Sequence, residues 1–181
     1  MSLIVTITGS PSAESRTARV SQRVASTLIS QGFEVQEINV RTLPPADLLH
    51  AKQDAEALAE PLALIERARG LVVSTPVYKA AYSGILKAFL DLLPQFALRG
   101  KVVLPLMTGG TPAHVLAIDY ALRPVLLSLG AQHVVAGLFL LDKAITARQD
   151  GGVDLEPELA TRLDGVVADF TDSLRRRVDA R

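Results

Sequence analysis

The chain has 181 residues, and its 19 Lys and Arg balance 19 Asp and Glu to a formal net charge of zero. Hydrophobic residues at 49% and charged residues at 21% give an ordinary globular composition, which excludes a disordered chain and any overall electrostatic pull on nucleic acid. There is no cysteine, so disulfides, thiolate zinc sites and iron–sulfur clusters are excluded.

Residues 3–8, LIVTIT, are β-rich and stop at Gly9-Ser10-Pro11, a turn signal. From Ser15 a helix is predicted: Ala18, Val20, Ser21, Val24, Ala25, Leu28 and Ile29 share one stripe, and Gly32 ends it. FEVQEINV, 33–40, alternates as a strand with one buried face. Residues 41–53 hold Pro44-Pro45 and read as a loop. Leu58, Leu62, Ile65 and Ala68 carry a helical period interrupted by Pro61. After Gly70, LVVST is a buried strand closed by Pro76, and Ser83 is placed to cap a helix running to Pro94.

KVVLPLM, 101–107, is another buried strand, and Thr108-Gly109-Gly110-Thr111 is a loop. Residues 112–129 are helical with Gly130 beyond their end, and 133–140 form a fifth strand. Residues 141–154, with Gly151-Gly152, read as a mobile loop. Leu155, Leu159, Leu163, Val166, Phe170, Leu174 and Val178 make the clearest helical stripe in the chain.

The length predicts a single domain over 1–181. The longest apolar run, Val134 to Leu141, is far short of the ~20 residues that span a bilayer. The amino end has neither the basic region nor the apolar length of a signal peptide, so a soluble cytoplasmic protein is expected, with no membrane and no nucleic-acid partner. Strands alternating with helices predict an α/β three-layer sandwich, a parallel sheet covered on both faces. Five strands favour the flavodoxin-like order 2-1-3-4-5, in which ligands sit at the carboxyl ends of the strands. The polar loops after strands 1, 3 and 4 begin at Gly9, Thr75 and Thr108 and should converge there.

The first loop, GSPSAESRT, joins a strand to a helix amino terminus, where free N–H groups and the helix dipole favour an anion. Ser10, Ser15 and Thr17 offer hydroxyls and Arg16 a charged fork, a suitable seat for one phosphate monoester. A capped helix with a polar turn is the plainer reading. The loop is neither G-x-G-x-x-G nor G-x-x-x-x-G-K-[ST], which counts against a dinucleotide or triphosphate site. In the second loop, 75–84, Pro76 fixes the backbone, and Val77 and Tyr78 offer backbone N–H groups and an apolar wall for a planar heterocycle; the alternative is that Tyr78 and Tyr82 only cover the sheet edge, with Lys79 solvated. The glycines of 108–111 either admit a ligand or make a tight turn.

Pro124 lies inside a helical pattern, and its ring meets the carbonyl of Tyr120, so a kink or π-bulge is predicted there, with Asp119 and Arg123 pairing across it. Tyr120 is then either at a functional distortion or packed in a core. His50, His114 and His133 lack metal-ligand spacing, and no metal is expected. Arg175-Arg176-Arg177 reads as a solvated helix end. A seat for a phosphate and a flat ring, with little catalytic equipment, suits a cofactor that performs the chemistry itself.

The segments GSPSAESRT, TPVYKAAYSGILKAFLDLLP, GKVVLPLMTGGTPAH and AIDYALRPVL closely resemble the NAD(P)H-dependent FMN reductases of alkanesulfonate utilisation, from Leu3 to about Phe139. The resemblance implies a flavodoxin-like fold, reduction of FMN by NADPH or NADH, homodimers and homotetramers, and delivery of reduced flavin to a flavin-dependent monooxygenase partner. By motif, Ser10, Ser15, Arg16 and Thr17 would hold the FMN phosphate. Pro76, Val77, Tyr78 and Lys79 would line the isoalloxazine ring, and Thr108, Gly109, Gly110 and Thr111 its other edge. Tyr120 matches the family's inserted π-helix tyrosine, which lies at the tetramer interface near the flavin and is linked to flavin exchange. Ser12 stands where many relatives carry Arg, which leaves Arg16 to carry the phosphate charge. The implied reaction is hydride transfer from nicotinamide C4 to flavin N5 without a side-chain base. Two other readings compete: a reductase of quinones or azo dyes with permanently bound FMN, and a flavodoxin-type electron carrier.

Overall fold

The computed structural model describes residues 2–179, with side-chain surroundings up to Arg176. The parallel strands are β1 (Leu3–Thr8), β2 (Glu34–Asn39), β3 (Gly70–Tyr78) and β5 (Val102–Gly109), joined at one edge by the short β6 (His133–Val134) and β7 (Leu138–Leu141). A two-residue strand, β4 (Ala81–Tyr82), folds back antiparallel on the end of β3. The order β2-β1-β3-β5-β6/β7 keeps the expected 2-1-3-4-5 succession, but the sheet has seven strands because the fifth is broken and β4 is added.

The break has a local cause. Val103 pairs with Val134 and Leu106 with Leu138, so Leu104 and Pro105 face three residues, 135–137, on the outer strand. Pro105 has no N–H to give, while the β3–β5 ladder on its other side runs without interruption. The outer chain bulges past the proline, and Gly137 comes so close that a Cβ there would lie 2.6 Å from the Pro105 carbonyl oxygen.

Period-2 alternation divides the core in two. Val5, Ile7, Leu71, Val73, Val103 and Met107 point to the face covered by α3 (Glu56–Arg67), α4 (Gly84–Leu90) and α5 (Arg123–Ser128). Ile4, Val72, Leu104 and Leu106 point to α1 (Arg16–Ser30) and α6 (Pro157–Asp179). In α1 the stripe is Thr17, Val20, Ser21, Val24 and Leu28, and Ile29 falls outside it, exposed. In α6, Leu159, Leu163, Val167, Phe170 and Leu174 are buried; the side chains of Arg177 and Val178, both named in the sequence reading, lie outside the described residues. Gly70 opens β3 bare because a Cβ would meet Phe170 Cζ at 2.7 Å. Fully burying a side chain like Phe170 contributes roughly 1.5–3 kcal/mol.

Several expectations need correction. Residues 41–53 are not a plain loop: α2 (Pro45–Leu49) forms with Pro45 at its first position, where the missing N–H has no helical partner anyway. Pro61 does not interrupt α3, since the carbonyl it deprives, that of exposed Ala57, lies in the first turn and is open to water. Strand β3 runs through Pro76 to Tyr78. Helix α4 stops at Leu90, before Pro94. Residues 141–154 are ordered as a hairpin, β8 (Ile145–Ala147) with β9 (Val153–Leu155), fastened to α1 by Arg19, whose Nη1 donates to the carbonyls of Arg148 at 2.8 Å and Gly152 at 3.3 Å. Among the described residues no helix is long and apolar enough to cross a membrane.

Candidate functional site

The carboxyl ends of β1, β3 and β5 lie side by side, which brings the loops after Gly9, Tyr78 and Gly109 to one end of the sheet. Hydroxyl groups knit these loops together beneath the surface. The Gly9 N–H donates to the Ser74 carbonyl at 2.8 Å. Ser83 Oγ donates to the Gly9 carbonyl and accepts from the Leu86 N–H at 3.3 Å, capping α4 as expected. The Ser83 N–H in turn donates to Thr75 Oγ1 at 3.0 Å. Thr17 Oγ1 and Thr108 Oγ1 share a hydrogen bond of 2.7 Å, joining the start of α1 to the end of β5. In the sequence Ser83 shows only as a cap and Thr75 only as the start of a loop; the hydroxyl residues where the strands give way to loops are the available signal.

Ser15 is the N-cap of α1, accepting from the Ala18 N–H at 3.0 Å. The N–H groups of Arg16 and Thr17, first in the helix, have no helical acceptor. Ser10 is buried, with its Oγ accepting from the Ser12 N–H at 3.3 Å. Arg16 is exposed and, among the described residues, its guanidinium has no ion pair or hydrogen bond. Thr17 and Thr108 are turned inward onto each other, so their side chains brace the loops. Thr8 and Ser74, register partners in β1 and β3, each hold a buried hydroxyl without a partner among the described residues.

The second loop is a tight hairpin. Lys79 at φ 49° and Ala80 at φ 63° both occupy left-handed backbone, the pattern of a type I′ turn usually made with Asn and Gly. Pro76 and Val77 are half-buried and Tyr78 is exposed. Lys87, one turn into α4, keeps its ammonium above its ordinary range through a 2.7 Å hydrogen bond to Asp91, with Tyr82 adding to the effect. In the third loop Gly109 is closed against Phe139, 2.9 Å from its would-be Cβ, whereas Gly110 and Thr111 are exposed.

Behind this hairpin the expected distortion is present: Ile118–Leu122 is a π-helical turn running straight into α5. Asp119 and Arg123 pair at 2.9 Å, and Arg123 Nη1 also donates to the Val134 carbonyl at 3.1 Å, where the outer strand breaks. Strand β4 packs on the π turn. Tyr120 is 79% exposed, which removes the core reading of that residue.

This end of the sheet fits a mononucleotide. A helix amino end with two open N–H groups and an unpaired guanidinium suits one phosphate, and an open hairpin with half-buried apolar residues suits a flat ring. Residues 2–146 match the model of the NADPH-dependent FMN reductase family. The chain belongs to that family. FMN and NADPH are its flavin and reductant, and NAD(P)H-dependent FMN reduction is the family's reaction.

Among its relatives, the FMN reductase (NADPH) of Escherichia coli is 45% identical over 96% of this chain and 91% of its own length. That of Pseudomonas putida is 45% identical over 97% and 89%. The apo structure of the NADH:FMN oxidoreductase EMOB superposes with a TM-score of 0.86 at 42% identity, covering 96% of this chain and 90% of that one.

Proposed function

We propose that this FMN reductase treats FMN as an exchanging substrate and supplies reduced flavin to a separate flavin-dependent monooxygenase, in the desulfonation of alkanesulfonates for sulfur acquisition. The observation that carries this reading is Tyr120, displayed to solvent on a π-widened turn against which the β3–β4 hairpin packs. The widened turn gives a place where ring contacts form and break without remodelling the sheet. The sulfonate role is supported by the resemblance of the four segments quoted above.

In this reading Ser10, Ser15 and the Arg16 and Thr17 N–H groups take the flavin phosphate, with Arg16 closing over it. Pro76, Val77, Tyr78 and Lys79 wall the ring, and Thr108, Gly109, Gly110 and Thr111 flank its other edge. Bound flavin supplies the two-electron chemistry by accepting hydride from the nicotinamide. The chain itself aligns the two rings and keeps water out; no side-chain base is needed. Exposed Val115, Leu116, Tyr120 and Leu127 on and around the π turn form an apolar face suited to homodimers and homotetramers. One reductase domain over 1–181 and a cytoplasmic setting complete the proposal.

The test is flavin retention. Purified protein should be nearly colourless, and NADPH oxidation should depend on added FMN. Stoichiometric yellow protein indifferent to added FMN would point to a quinone or azo reductase, and failure to oxidise NAD(P)H to an electron carrier. Tyr120→Ala should retain more flavin and turn over more slowly; unchanged retention and turnover would remove the role given to Tyr120.

A further inference from the structure

At the opposite end of the sheet a cleft of about 380 Å³ is lined by Glu66, Arg67, Ala68, Arg69, Arg99, Gly100 and Lys101. Four cationic side chains face one carboxylate, in a chain whose net charge is zero. We propose that this cleft is a second, non-flavin site for a compact polyvalent oxyanion of the phosphate class.

One of the four cations has a structural explanation. Lys101 is only 7% exposed, and its Nζ donates to the Glu66 and Ala68 carbonyls, each at 2.8 Å. It neutralises the negative pole at the end of α3 and forms the cleft floor. Two of its three ammonium protons are committed there; the third is available to a ligand.

The arginines have no comparable partners. Arg67 Nε reaches only the Ala63 carbonyl of its own helix, at 3.4 Å. Arg99 lies over the Phe96 ring, 4.6 Å from its centroid, which presents the guanidinium without neutralising it. Arg69 is close enough to Lys101 to disfavour its charged form. Among the described residues no carboxylate forms an ion pair with any of the three.

The lining selects the ligand class. Of the described residues that line the cleft, Ala68 alone has an apolar side chain, too small a wall for a nucleobase, flavin or acyl chain. Arginine forks around an ammonium floor match the lone pairs of a tetrahedral oxyanion. The first loop leaves β1 level with Ser74, four residues along β3 from Gly70, so the cleft and the phosphate seat are separated by about 13 Å of strand at ~3.3 Å per residue. The cleft lies outside the reach of the flavin phosphate seat.

The test uses full-length protein saturated with FMN, so that the first phosphate seat is filled. Inorganic phosphate is titrated at constant ionic strength against sodium chloride, with thermal midpoint and backbone amide NMR shifts as readouts. Phosphate should raise the midpoint more than chloride does and shift the amides of Arg69, Arg99 and Gly100 saturably. Arg69→Gln with Arg99→Gln should weaken this binding at least tenfold and leave FMN reductase activity unchanged, whereas Arg16→Gln should not affect it. Shifts confined to residues 10–17, a response equal to that of chloride, or binding that survives the double substitution would each overturn the proposal. The wild-type shift map decides the matter even if the double variant folds poorly.

Discussion

Gly9 shows how much one missing methyl group can matter. A Cβ there would stand 2.5 Å from Leu86 Cβ, an atom fixed near the backbone of α4. Gly9→Ala should therefore cost about 1–3 kcal/mol and displace the first loop, seen as a lower urea midpoint with weaker FMN binding. Ala80 presents the opposite case. Left-handed backbone costs a non-glycine residue roughly 1–2 kcal/mol, against about 0.5–1 kcal/mol of extra entropy loss for glycine. Ala80→Gly should therefore leave stability unchanged or raise it by up to about 1.5 kcal/mol, measured as a higher midpoint, while loosening the hairpin. Lys101 carries a pH signature. Burial first, then nearby Arg69, holds its ammonium below 10.5, with Glu66 opposing. As pH rises from the folded value toward 10.5, the native chain has released a proton that the unfolded chain still binds, so this residue makes stability rise with pH in that window. Lys101→Met should abolish that contribution and lower stability by about 1–3 kcal/mol, because the Glu66 and Ala68 carbonyls lose their donor.

Among the elements, the π turn was the most legible from sequence. Pro124 removes the donor to the Tyr120 carbonyl, and the chain answers by widening over Ile118–Leu122. Pro124→Ala restores that donor and should let the turn relax toward regular α-helix. Little stability should change, since proline at the start of α5 is tolerated, but flavin absorbance of the purified protein should rise. The hairpin of Lys79 and Ala80 was not legible, because nothing in Tyr-Lys-Ala-Ala announces two left-handed residues; pairing of Val77 with Tyr82 imposes them. The β8–β9 hairpin was hidden for a similar reason. Its strands are three residues each, too short for a period, and it is held by Arg19 from a distant helix.

For the whole molecule, strand and helix alternation sufficed to give the layers and the order of the main strands, because buried parallel strands read as apolar runs. The convergence of the three polar loops at one end of the sheet was legible as well. The Thr17–Thr108 bridge and the link from Ser83 to Gly9 were not, because they join residues 91 and 74 positions apart in sequence. At this scale the exposed apolar face is the feature to test. Tyr120→Asp should shift sedimentation toward smaller species, since a charge would be buried in any assembly formed there.

The interrupted outer strand has a consequence for the protein at high concentration. A sheet margin with a continuous row of free amides invites a neighbour's strand to extend it. Here that row is cut by the detour around Pro105, and the Val134 oxygen is already held by the Arg123 guanidinium. The opposite margin, β2, displays Glu34 and Glu37. Both flanks of the sheet thus resist templating, so an electrically neutral chain is protected from fibrous stacking even where mutual repulsion between molecules is weak.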